Sequence, residues 1–254
     1  MLELRNIRKV YNAGSITELK LFDDFSLTVD DGEFVSVIGS NGSGKTSLLN
    51  IICGSIPIES GDVLVGGKSI AKEKDFVRCR RIGRVYQNPS LGTSPNLTML
   101  ENLSLADNKG KSFGLRFGIN KKRIDYYTEQ LASLGLGLED KLNVKMGALS
   151  GGQRQAVALL MATMTPLEFL ILDEHTAALD PKTAEVIMQL TDRVVREKGL
   201  TAIMVTHNLR YAVEYGTRLI MMDKGSIAFD KRGAEKAALT TDEVLAKFNT
   251  LSIE

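Results

Sequence analysis

Three short, nearly unbroken apolar runs punctuate the chain, Phe34–Ile38, Phe169–Leu172 and Ala202–Val205, each followed by a polar turn and then a helically spaced segment. A strand that is apolar at every position is buried on both faces. Strands of that kind alternating with helices predict an α/β protein built on a mostly parallel sheet. Gly83–Tyr86 reads as a further strand of the same sheet. Two hairpins add antiparallel pieces: Val63–Val65 turns through Gly66-Gly67 into Lys68–Ile70, and Leu219–Met222 turns around Lys224-Gly225 into Ile227–Phe229. The expected sheet is therefore mixed.

From about Thr98 to Met164 the strand pattern gives way to helical spacing. Asn120 is a candidate N-cap for a helix that places Ile124, Tyr127, Leu131 and Leu134 on one face and closes at Gly135. A second helix is expected from Arg154 to Met164, and a short amphipathic one over Asp242–Phe248. The organisation this predicts is one unit over residues 1–254, with a core from 1–89 and 165–254 and an inserted helical lobe from 90–164.

Composition narrows the class without changing that picture. Of 254 residues, 43% are hydrophobic and 25% charged, enough for a core and too apolar for a disordered chain. The formal net charge of +1 supplies no overall field for nucleic acid, so none is expected as a partner. Two cysteines, Cys53 and Cys79, are too few for a disulfide framework or a zinc site and suit a reducing compartment. No apolar run reaches the roughly 18 residues of a spanning helix, and the start lacks a signal-peptide core. About 25 residues follow the last hairpin, too few for an appended regulatory domain of roughly 50 residues. A basic run, Lys109, Lys111, Arg116, Lys121, Lys122 and Arg123, reads either as a solvated loop and helix start or as a surface facing lipid headgroups.

The chemistry begins at Gly39-Ser40-Asn41-Gly42-Ser43-Gly44-Lys45-Thr46, which fits G-x-x-x-x-G-K-[ST] between a buried strand and a helix. Glycines let backbone N–H groups turn inward around an anion, and the helix N-terminus behind them carries a partial positive charge. Lys45 would reach the β- and γ-phosphates of a nucleotide, and the Thr46 hydroxyl would ligate Mg2+. A second signal is the apolar strand that runs into Asp173-Glu174, at the strand end where open α/β sheets bind ligands. Asp173 offers hard oxygens to Mg2+. Glu174, expected on the opposite side of the strand, would polarise a water for attack on the γ-phosphate.

A third signal is Ser150-Gly151-Gly152-Gln153 at the start of a helix, a second anion site. One nucleotide needs only one phosphate loop. A head-to-tail dimer, each nucleotide between one subunit's loop and the other's Ser-Gly-Gly-Gln, would use both and close as a two-fold pair.

With Leu149-Ser150-Gly151-Gly152-Gln153 intact, the chain resembles the ATP-binding subunit of an ATP-binding-cassette (ABC) transporter along nearly its whole length. The resemblance implies an ATPase of P-loop fold with ATP and Mg2+ as ligands. It implies adenine stacking at Tyr11 and nucleotide contacts that extend to Ser47. Gln87 would contact Mg2+ or the lytic water and link to the helical lobe. Asp180, in Ala178-Leu179-Asp180, would cross the dimer interface. His207 would contact the γ-phosphate. Most members carry Pro after the acidic pair, whereas this chain has His175. That imidazole is expected either in the dimer interface or as a group titrating near neutrality beside Glu174.

Residues 173–184, Gly39–Gly42 and Leu159–Thr163 further resemble the bacterial subgroup associated with uptake of tryptophan or related amino acids. The partners implied are a second copy or a paralogous ATPase subunit, an integral-membrane permease and, indirectly, an extracytoplasmic binding protein. The location implied is the cytoplasmic face of the membrane. The alternatives are a soluble ATPase of iron–sulfur assembly and the ATPase of a lipoprotein or antimicrobial exporter.

Overall fold

The computed structural model describes residues 1–111 and 118–253. Among the described residues, ten strands form two sheets. The smaller is antiparallel and joins β1 (Leu2–Tyr11), β2 (Leu19–Val29), β4 (Ser60–Val65) and β5 (Lys68–Ser69) in the order β2-β1-β4-β5. The larger contains β3 (Phe34–Gly39), β6 (Ile82–Val85), β7 (Phe169–Asp173), β8 (Ala202–Val205), β9 (Arg218–Asp223) and β10 (Ser226–Arg232) in the order β10-β9-β3-β8-β7-β6. Its pairings are parallel except for the β9–β10 hairpin.

Helices α1 (Lys45–Cys53), α2 (Asp75–Arg78), α3 (Met99–Asp107), α4 (Ile124–Ala132), α5 (Gly151–Thr163), α6 (Pro181–Glu197), α7 (Leu209–Glu214), α8 (Gly233–Ala237) and α9 (Thr241–Ile253) complete the order. No described helix is long and apolar enough to cross a membrane.

The unbroken apolar runs have a direct cause. Side chains alternate between faces along a strand, and both faces of the larger sheet are covered. In β7, Phe169 and Ile171 enter a core shared with β1, β2, β4 and α1, while Leu170 and Leu172 enter a second core against α3, α4, α5 and α6. In β8, Ile203 and Val205 join the first core, and Ala202 and Met204 the second. Each fully covered Leu or Ile contributes roughly 1.5–3 kcal/mol relative to exposure.

β1 and β2 left no comparable trace in the sequence. Their pairing is broken by register shifts near Asn6, a non-glycine residue at φ 50°, so neither strand keeps a clean alternation. The hairpins at β4–β5 and β9–β10 form where the sequence placed them.

Asn120 does not cap α4. Its side chain accepts from the Lys122 N–H and caps a 3-10 turn over Lys121–Arg123, and α4 begins after that turn. The basic run is not uniformly solvated either. Arg123 grips both oxygens of Asp107 at 2.8 and 2.9 Å and lies 4.0 Å over the Tyr126 ring; Arg116 is outside the described residues.

Candidate functional site

Four neighbouring strands of the larger sheet, β3, β8, β7 and β6, run parallel, so their C-terminal ends lie along one edge. The residues singled out from the sequence follow those ends. β3 leads into Gly39–Thr46, β8 is followed by His207, β7 ends at Asp173 ahead of Glu174, and β6 is followed by Gln87 in an exposed bend. The carboxyl edge of an open α/β sheet is where such folds bind ligands.

The first turn of the loop demands its glycine. A Cβ on Gly39 would lie 2.3 Å from the Met222 carbonyl oxygen of β9, so any larger residue would push the loop off the sheet. Lys45, nearly buried, curls back over the loop and donates to the Gly39 and Ser40 carbonyls at 2.8 Å each. Burial pushes the Lys45 ammonium below its ordinary pKa, and the negative charge of Glu174 pulls the other way. Asn41 and Gly42 are exposed, Ser43 is buried, and Thr46 is exposed on the first turn of α1. Tyr11 closes β1, and its hydroxyl meets the Ser47 hydroxyl on α1 at 3.0 Å.

Glu174 lies beyond the strand, not on its opposite face. Its backbone adopts φ 48°, a left-handed conformation costly for a residue with a Cβ, and its N–H donates to the Val205 carbonyl of β8 at 2.9 Å. The turn brings Glu174 Oε1 to 2.8 Å from His207 Nε2, with the glutamate side chain 17% exposed and the imidazole 47% exposed.

Asp173 pairs elsewhere. Its Oδ2 accepts from Arg84 Nη2 at 2.6 Å, a contact the sequence reading missed. The available signal was a lone charge inside the short, otherwise apolar strand Ile82–Val85, since a charge in that setting requires a partner.

His175 meets neither expectation. It is 2% exposed and packed within the protomer, where its Nε2–H donates to Thr191 Oγ1 of α6 at 3.0 Å; Thr191 in turn donates to the Ile187 carbonyl. Burial pushes its pKa down to about 4, so the imidazole is neutral at physiological pH rather than a group titrating near neutrality.

The Ser-Gly-Gly-Gln segment is a helix start as expected, one turn earlier than Arg154. Ser150 Oγ accepts from the Gln153 N–H, and Gln153 Oε1 accepts from the Ser150 N–H, a reciprocal capping box. Gly151 is exposed. Gly152 is buried, and a Cβ there would lie 2.2 Å from Thr183 Cγ2 at the start of α6. Asp180 caps that same helix through the Thr183 N–H, with Pro181 in the first turn. The signature segment and the Ala178–Asp180 turn are therefore packed together. Ser150 and its glycines are not brought to the phosphate loop of the same chain by any contact described. Behind them, Gln155 of α5 donates to the Tyr86 carbonyl, next to Gln87.

An open groove of about 400 Å³ lies beside Tyr86, lined among others by Cys53, Cys79, Arg84, Leu105 and Lys109. Among the described residues, no group of three or more His, Cys, Asp or Glu side chains gathers to hold a metal by itself. The residues singled out for metal, Thr46, Gln87 and Asp173, offer a hydroxyl, an amide and a carboxylate. That all-oxygen set fits Mg2+, which takes one or two protein oxygens together with phosphate and water.

A family model described as ABC transporter matches residues 22–177. The tyrosine transport ATP-binding protein of Clostridioides difficile (strain R20291) is 45% identical over 248 residues, covering 98% of both chains. A phosphonates import ATP-binding protein of Lactococcus lactis subsp. cremoris (strain SK11) is 33% identical over 255 residues, covering 97% of this chain and 99% of its own. Among solved structures, a dimeric post-hydrolysis ATP-binding cassette bound to ADP and Pi is similar with a TM-score of 0.77 and 32% identity, over 91% of this chain and 98% of that one.

Proposed function

The chain belongs to the ABC transporter family as an ATP-binding ATPase subunit, and on that premise we propose that it powers import of an aromatic amino acid, tyrosine or tryptophan, through a membrane permease. The observation that carries the hydrolytic part is the Glu174–His207 pair beside the phosphate loop. Glu174 takes the proton of the attacking water, and His207, fixed by Glu174, donates toward the γ-phosphate as charge builds there. Lys45 exchanges its two loop carbonyls for phosphate oxygens when nucleotide binds, and Tyr11 stacks on adenine. Residues Gly39–Ser47 form the cradle. Thr46, Asp173 and Gln87 would hold Mg2+, which when bound would neutralise phosphate charge.

The second half of the site comes from another copy. Ser150 Oγ accepts within its own capping box, so its O–H remains to donate to a nucleotide across a head-to-tail interface, with Gly151, Gln153 and Asp180 facing the same partner and Gly152 packed behind them on Thr183 of its own chain. Four support lines bear on the transporter assignment: the two transport-named relatives, the dimeric structural neighbour and the groove. Leu105 lines that groove and is 47% exposed; Phe76 and Leu91, 59% and 70% exposed, adjoin its lining residues Asp75 and Gly92 in sequence. Exposed apolar side chains around a groove next to Gln87 suit a helix of a permease on the cytoplasmic side of the membrane. An extracytoplasmic binding protein supplies the substrate to that permease.

The test is reconstitution. The chain and its permease in proteoliposomes, with the cognate binding protein, should hydrolyse ATP faster on addition of tyrosine or tryptophan and accumulate the labelled amino acid. ATP hydrolysis unaffected by either amino acid, with uptake of another solute, would overturn the substrate; purification without any permease would overturn the transporter reading.

A further inference from the structure

Among the described residues, the cation within 4 Å of Asp173 is Arg84, and the guanidinium is fixed from several sides. Nη2 donates to Asp173 Oδ2 at 2.6 Å, Nη1 donates to Asn50 Oδ1 of α1 at 2.8 Å, and the guanidinium carbon lies 4.7 Å from the centre of the Tyr86 ring. The Asp173 and Arg84 side chains are only 15% and 12% exposed, so solvent screens the pair weakly. The other charged groups of the site are engaged apart from it: Lys45 with the loop carbonyls, and Glu174 with His207. Arg84 reaches Asp173 because β6 and β7 are parallel neighbours, with Arg84 opposite Ile171 and the long side chain extending toward the strand end.

We propose that Arg84 is a positioning residue for Asp173 that sets how tightly this carboxylate takes a divalent cation. It rests on the assignment of Asp173 as a metal ligand. A guanidinium remains charged at every physiological pH, so Asp173 carries a permanent counter-ion. A cation arriving at Asp173 feels attraction from the carboxylate and repulsion from Arg84, and the fixed guanidinium also holds the carboxylate in one orientation. The balance makes Asp173 alone a weak metal site. Tight metal binding then requires the extra charge of nucleotide phosphates, so metal enters and leaves with nucleotide instead of persisting on the protein.

The experiment measures equilibrium binding of fluorescent N-methylanthraniloyl-ADP to the full chain, in EDTA and across a Mg2+ series, for the parent, Arg84→Met, Arg84→Gln, Arg84→Lys and Asp173→Asn. Affinity in EDTA should stay within about twofold for the Arg84 variants, since Arg84 is not assigned to the nucleotide itself. Removing the positive charge in Arg84→Met or Arg84→Gln should lower the Mg2+ concentration giving half of the metal-dependent gain by roughly tenfold. Arg84→Lys, which keeps the charge, should stay near the parent. Thermal unfolding establishes that each variant is folded, and Arg84→Gln, still able to hydrogen-bond Asn50 and Asp173, stands in if Arg84→Met is not. An unchanged or raised Mg2+ requirement in the neutral variants would overturn the proposal. If Asp173→Asn keeps the full metal-dependent gain, the assignment of Asp173 as a ligand fails, an outcome separate from the behaviour of the Arg84 variants.

Discussion

Glu174 Oε1 and His207 Nε2 lie 2.8 Å apart although their residues follow different strands, β7 and β8. The left-handed backbone at Glu174 is what closes that distance. A strained conformation at a carboxylate aimed at an imidazole is the local cost of placing both at one sheet edge. Glu174→Gln is expected to keep nucleotide binding and to lower turnover by roughly 10²–10⁴-fold, the usual loss for a general base. Phosphate release at saturating ATP measures it, and a variant as fast as the parent would remove Glu174 from that role.

Lys45 gives a prediction about affinity. Its ammonium is held by two carbonyl oxygens of its own loop, which compensate a nearly buried charge. Lys45→Ala should weaken ATP binding by roughly tenfold or more, one charge-assisted contact being worth about 1.5–3 kcal/mol. Isothermal titration with ATP measures this, and undiminished affinity would contradict the assignment.

His175 gives a prediction about pH. Its folded pKa of about 4 lies below the ordinary 6.5, because burial disfavours the charged form. The unfolded chain therefore takes up the proton first as pH falls. The stability linked to a neutral His175 is whole above about pH 6.5 and is lost progressively down to pH 4. The loss amounts to about 3 kcal/mol, from roughly 1.4 kcal/mol per pKa unit. Urea unfolding at a series of pH values should show this slope in the parent and not in His175→Asn. Matching slopes would mean the imidazole is not buried as described.

Gly152 gives a prediction about packing. A methyl group there would sit 2.2 Å from Thr183 Cγ2, so Gly152→Ala should destabilise the fold by about 1–3 kcal/mol, as overpacking does. Adding Thr183→Ala removes the obstructing carbon and should recover most of the loss. Chemical denaturation of the two single variants and the double variant tests the coupling, and additive losses would exclude it.

The sequence carried the main sheet well because its strands are covered on both faces: nothing but a continuous apolar run satisfies β7 or β8. It carried the phosphate loop and the capping box at Ser150 because those are local, with every participant within a few residues. What it concealed was non-local. The partner of Asp173 is 89 positions away on a neighbouring strand, and that of His175 is 16 positions on, across a turn and nearly three turns of α6. Neither separation has a periodic signature. The bulged β1 hid for a different reason, since each register shift resets which residues face inward.

The phosphate-loop strand β3 lies between β8 and β9, with Phe34 opposite Ala202 and Val35 opposite Arg218. Both neighbours are thus synthesised more than 160 residues after β3 begins. Such distant pairing makes for a slow, late-closing topology. A ribosome-bound chain short of residue 202 has made the loop and the acidic pair but not the strand that holds His207 in place. A chain short of β8 therefore has the loop's glycines and Lys45 but neither of the two strands that flank β3, so the cradle has no paired strand beneath it until β8 and β9 have been added.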